Sequence, residues 1–259
     1  DYLPHNHNNK VVNHLEKKDI VFFGPAYAFG QDQWRVAQDA FKALGINARY
    51  IESPVGTTDF TSYLTRIMDM RPEAVMLAHW GVDAINVLQQ THETGLKDRV
   101  TVFFNWMTNA FGSGVAPEAL EGVYSLMSWY YDLTGIDNEE IVTASTNFAN
   151  RFRDEYGYPP DPYSAMAYIG TKEALRALSL AGTNDPKAVA DAVRQNPTFE
   201  SMKGTGTWRV DQQPSFDYNA FIVVGKGADE RENELWDLVR VIGAFTSEDY
   251  LPPLDMLGY

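Results

Sequence analysis

A chain of 259 residues, 44% hydrophobic and 22% charged, has the balance of a soluble globular protein, with room for one large domain or two smaller ones. Its net charge of −14 repels phosphate backbones and anionic lipid, which argues against nucleic acid and membrane surfaces as partners. The absence of cysteine excludes disulfides, thiolate nucleophiles, cysteine zinc sites and iron–sulfur clusters, and no apolar run approaches the roughly 20 residues of a membrane span.

Residues 1–18 are polar and read as an irregular N-terminal segment. No signal peptide is read in them, so an exported protein is expected in processed form. His5, Asn6 and His7 spell a nuclease motif without its spacing. Beyond residue 18, strand and helix alternate. Residues 20–23 form an apolar run that stops at Gly24 and Pro25, a strand and its turn. Trp34, Ala37, Phe41 and Leu44 recur at helical spacing and Gly45 ends them. Residues 47–51 are the next strand, and Asp59 is placed to cap a helix carrying Phe60, Leu64 and Ile67. Strands follow at 74–77, 100–104 and 123–127, with a helix marked by Ile85, Leu88 and His92 between the first two. Short, apolar strands separated by helices predict a parallel sheet covered on both faces, a doubly wound α/β lobe over residues 19–125.

Residues 126–215 read as mostly helical. Ile141, Ala144, Phe148 and Phe152 line one helix, and Tyr168, Leu175 and Leu178 line a second, with Tyr163 and Tyr168 in its core; a third follows at 188–195. Strands are expected at 204–210 and 221–224, within a last stretch, 216–259, of return strand and extended tail.

Catalytic signatures are missing. The turn Gly24-Pro25-Ala26-Tyr27-Ala28-Phe29-Gly30 lacks the spacing of a dinucleotide-binding loop and the Gly-Lys-Ser/Thr of a phosphate loop. Its aromatic side chains would block a phosphate but could stack on an organic ligand. No zinc-binding helix motif or nucleophile elbow occurs. The reading is a binding protein, with no enzyme activity, cofactor or metal expected. A nucleotide-dependent enzyme is disfavoured by the missing glycine fingerprint.

That turn, the run Val55-Gly56-Thr57-Thr58-Asp59-Phe60-Thr61 followed by Arg71-Pro72-Glu73-Ala74-Val75, and Gln89-Gln90 with Thr94-Gly95-Leu96 resemble the type I periplasmic solute-binding proteins of ABC transporters, the leucine/isoleucine/valine-binding group. The likeness runs from about residue 19 to the end of the chain, through Gly204-Thr205-Gly206 and Pro252-Pro253. It implies two doubly wound lobes that close on a small-molecule ligand, a permease as partner, a periplasmic location, and no membrane insertion. A ligand-sensing receptor of the same fold is the alternative. Members of the group usually begin with a long segment that builds most of one lobe, whereas here the strand at Ile20 opens the other lobe. A partial second lobe is therefore expected, and the apolar surface it exposes would favour a homodimer.

Open parallel sheets bind ligands beyond the carboxyl ends of their strands. The residues there are Tyr27 and Phe29, His79 and Trp80, and Asn105 and Met107, and the resemblance marks Phe29 and Trp80 as aromatic ligand contacts. Trp129, Tyr130 and Tyr131 fall at an expected crossover, as hinge packing or cleft lining. Amino-acid binders of the group hold the ligand's ammonium with an acid after the fourth strand of this lobe. Met107 stands at or next to that position, so the resemblance implies a ligand other than a standard α-amino acid.

Overall fold

The computed structural model describes residues 16–232 and 236–259; most of the expected irregular N-terminal segment lies outside the described residues. The chain forms two compact units, Asp1–Met127 with Ile222–Arg240 and Ser128–Phe221 with Val241–Tyr259.

The first unit holds most of the seven-stranded sheet. Its strands β1 (Asp19–Pro25), β2 (Asn47–Ser53), β3 (Ala74–Leu77), β4 (Thr101–Phe104) and β5 (Tyr124–Met127) follow the expected apolar runs. Strand β1 pairs in parallel with β2 on one side and β3 on the other; β3–β4 and β4–β5 are parallel too. Strands β9 (Ala220–Gly225) and β10 (Val239–Phe245) complete the order β10-β9-β5-β4-β3-β1-β2. Every residue of β3 is buried, as a strand covered on both faces requires.

Helices α1 (Ala28–Ala43), α2 (Thr61–Met70) and α3 (Gly81–Glu93) join successive strands. Helix α2 starts just after Asp59, whose carboxylate accepts from the Thr61 N–H at 2.9 Å. Gln90 of α3 fixes the loop before α2, accepting from Phe60 N at 2.6 Å and donating to Thr58 O at 2.8 Å. Two short helices, α4 (Asn109–Ser113) and α5 (Pro117–Leu120), span too few residues to show a periodic pattern in sequence.

Helix α1 starts hard against the end of β1. A Cβ on Gly30 would lie 2.4 Å from the Pro25 carbonyl oxygen and 2.7 Å from its Cδ. Alanine gains about 1 kcal/mol of helix propensity over glycine, but this contact is with backbone that cannot swing aside. Gly30→Ala is therefore expected to lower stability by about 1–3 kcal/mol. Urea denaturation checks this; an unchanged or higher midpoint would refute it.

The second unit carries α6 (Glu139–Tyr156), α7 (Pro162–Ala181) and α8 (Pro186–Gln195). Their first turns are capped by Asn138, Asp161 and Asp185, which accept from Ile141, Tyr163 and Ala188 N–H groups. Trp129, Tyr130 and Tyr131 are buried. The indole of Trp129 donates to Ser145 Oγ at 2.8 Å and packs edge-on against Phe148.

The expected face of α7 is corrected. The helix buries Ala165, Ile169, Glu173 and Ala177, while Tyr163, Leu175 and Leu178 are exposed. Both stripes recur at helical spacing, so periodicity could not choose between them. Glu173 reveals the choice, because its buried carboxylate is satisfied by two bonds from Arg176 and one from Trp208 Nε1.

Beyond α8 the chain folds into an antiparallel sheet of β6 (Thr198–Ser201), β7 (Gly204–Trp208) and β8 (Pro214–Phe216). Only β7 was expected. The tail, read as extended, contains most of β10, a helical turn α9 (Ser247–Tyr250) and a 3₁₀ turn at Asp255–Leu257. Arg209, paired with the buried Asp211, holds it by donating to Pro252 O at 2.8 Å.

Candidate functional site

The strand order fixes where a site can form in the first unit. From β1 the chain moves outward to β2, then returns to β3 on the other side of β1. Loops leaving β1 and β3 therefore diverge, and a crevice opens beyond their carboxyl ends, the place where such sheets bind ligands. Phe29 follows β1 and Trp80 follows β3.

Four aromatic rings stand in series there. Tyr27 stacks near Phe29 with ring centres 6.0 Å apart; Phe29 meets Trp80 edge to face at 6.0 Å; Trp80 meets Phe111 edge to face at 4.7 Å. Tyr27, Phe29 and Trp80 remain 42%, 40% and 40% exposed, whereas Phe111 is buried behind them. Backbone geometry aims the Trp80 ring. Trp80 is extended, and Gly81 at φ +61° turns the chain into α3, a conformation costly for a residue with a side chain.

His79, expected in the site, lies beneath it, because successive side chains of extended backbone point to opposite sides. It is 2% exposed, wedged edge-on against Phe23 and Phe60 with ring centres 4.6 and 5.2 Å away. Its Nε2 shares a 3.0 Å hydrogen bond with Ser53 Oγ, and burial holds its pKa down at about 3. It is a neutral side chain packed between Phe23 and Phe60. Met107 is also buried, its N–H bonded to Leu126 O at 2.8 Å. Asn105 is half-buried at the rim, where its side-chain amide donates to Gln33 Oε1 of α1.

Sequence reasoning missed Phe111 and Gln33. The signals were Thr108, which caps α4 by accepting from Phe111 N, and the four-residue spacing that puts Phe29 and Gln33 on one face of α1. Among the described residues, no cluster of His, Asp or Glu could hold a metal ion, and no helix is long and apolar enough to cross a membrane.

Residues 6–228 match the family described as periplasmic binding protein. The chain belongs to that family. Among its relatives, Leu/Ile/Val-binding protein homolog 2 of Brucella abortus is 27% identical over 183 residues, covering 69% of this chain and 46% of the relative. Leu/Ile/Val-binding protein homolog 1 of Brucella suis is 24% identical, covering 86% of this chain and 58% of the relative. The chain thus spans about half the length of these periplasmic binding proteins. The same fold appears in the amino acid ABC transporter substrate-binding protein of Pseudomonas fluorescens Pf-5, with a TM-score of 0.83, 22% identity, and coverage of 99% of this chain and 66% of the other. It appears too in an ABC transporter solute-binding protein of R. palustris in complex with benzoate, with a TM-score of 0.73, 15% identity, and coverage of 93% and 62%.

Proposed function

We propose that this protein is an extracytoplasmic solute-binding component of an ABC transporter, which captures a small organic molecule in the periplasm and hands it to a membrane permease. The observation that carries this reading is the set of exposed rings Tyr27, Phe29 and Trp80 at the point where the loops of the parallel sheet diverge, in a chain of the periplasmic binding protein family. Exposed rings on a rigid edge bind an apolar or planar body with little loss of conformational entropy. Asn105 supplies polar contact at the rim, while His79 and Met107 are buried. The function is capture without bond making or breaking, and the name of the Pseudomonas fluorescens structural neighbour supports a transporter as recipient.

Native mass spectrometry of the protein purified from its own host, followed by extraction and identification of what it carries, tests the reading. A stoichiometric small molecule, displaced by excess of the same compound, is expected. Purification with a nucleotide, together with turnover of it, would overturn the proposal in favour of an enzyme.

A further inference from the structure

Resting on that reading of the site, we infer that Gln33 selects the ligand, and that the ligand is an aromatic compound whose head group accepts hydrogen bonds and carries no ammonium. Gln33 shares a face of α1 with Phe29. Its Oε1 is taken by the Asn105 amide, and that bond places Gln33 beside the end of β4. The other end of the same amide, Nε2, is buried and has no acceptor among the described residues. A buried donor left without a partner is unfavourable, and an acceptor on an incoming molecule removes that cost. Phe29, one turn earlier on the same helix face, and Trp80, which meets it edge to face, provide flat apolar faces for the rest of the molecule.

The surrounding charges point the same way. A buried ammonium needs a carboxylate partner, and the carboxylates at this edge are occupied. Asp32 holds Arg35 at 3.2 Å, and Glu52 accepts from Tyr50 at 3.1 Å and Gln31 at 3.3 Å. Asp59 accepts from Thr61 N, and Asp83 reaches back to accept from Gly56 N at 2.9 Å. Diverting Asp59 or Asp83 to a ligand breaks a bond that holds the loop before α2, and diverting Asp32 or Glu52 breaks an existing side-chain pair. A carboxylate or an amide carbonyl as head group breaks none.

Hydrocinnamate and L-phenylalanine make a matched pair, since they differ only in the α-ammonium group; hydrocinnamamide separates a neutral acceptor from an anionic one. Calorimetry on the intact protein is expected to show hydrocinnamate or its amide binding at least ten times more tightly than L-phenylalanine or L-leucine. Gln33→Glu, which replaces the donor with an acceptor, and Gln33→Met, which removes it, are each expected to weaken that binding tenfold or more while leaving the unfolding temperature within a few degrees. Tighter binding of either amino acid, no binding by the aromatic acceptors, or unchanged affinity in both Gln33 variants would overturn the inference. If leucine binds and Trp80→Ala abolishes it, the inference fails while the proposed site stands. If Trp80→Ala leaves the affinity of whichever compound binds unchanged, the proposed site fails as well.

Discussion

Replacing Trp80 with alanine is expected to weaken ligand binding by about 1–3 kcal/mol, the usual cost of truncating an aromatic anchor. Trp80 is the ring on which the row converges, since it meets Phe29 on one side and Phe111 on the other. Truncation therefore removes a contact face and also releases Phe29, which loses its edge-to-face neighbour. Stability should change little, because Trp80 is 40% exposed and stands at a helix start. Calorimetry beside thermal unfolding separates the two effects. Unchanged affinity with a lowered unfolding temperature would assign Trp80 to the scaffold.

The second large effect is one of pH. His79 is neutral in the folded protein down to a pKa of about 3, against an ordinary value of 6.5. Its folded pKa is depressed, so between these values the unfolded chain binds more protons at this residue than the folded chain does. The contribution of His79 is therefore fully present above about pH 6.5 and is lost progressively as the pH falls towards 3. At about pH 5 the loss amounts to about 2 kcal/mol. Other groups titrate in the same range: the carboxylates of Glu73 and Glu173 are both held below their ordinary values, so protonating them also costs stability. The test is therefore a comparison. Denaturation of the wild type and of His79→Gln at neutral pH and at about pH 5 should show the stability gap between them narrowing by about 2 kcal/mol at the lower pH. A gap independent of pH would show that His79 is not buried in this way.

Much of the first unit was legible in the sequence because its signals are local. A buried parallel strand is a short apolar run between turns, and residues 74–77 read this way became β3 without a change of boundary. Trp80 stood out because a large ring in a loop serves no helix or strand, and Phe29 because the resemblance marked it as an aromatic contact. Other features depend on partners far along the chain. Gln33 looks like any polar residue early in a helix until Asn105, 72 residues away, is seen bonded to it. The buried side of α7 was hidden for a related reason: a glutamate marks it, and Glu173 belongs inside only once Arg176 and Trp208 are in place around it. The hairpin strands β6 and β8 are three or four residues long, too short for alternation to declare them.

The pairing register gives the site's framework a consequence for divergence. Phe23 aligns with both Ile51 and Leu77, and Leu77 with Phe104, so β3 and β4 end level while β1 and β2 run on in register to Pro25 and Ser53. Each then contributes a separate loop, so an exchange of side chains in one loop need not disturb the pairing of any strand. A lineage can in this way exchange loop side chains and keep its architecture, and the fold is indeed kept at a TM-score of 0.83 with 22% identity.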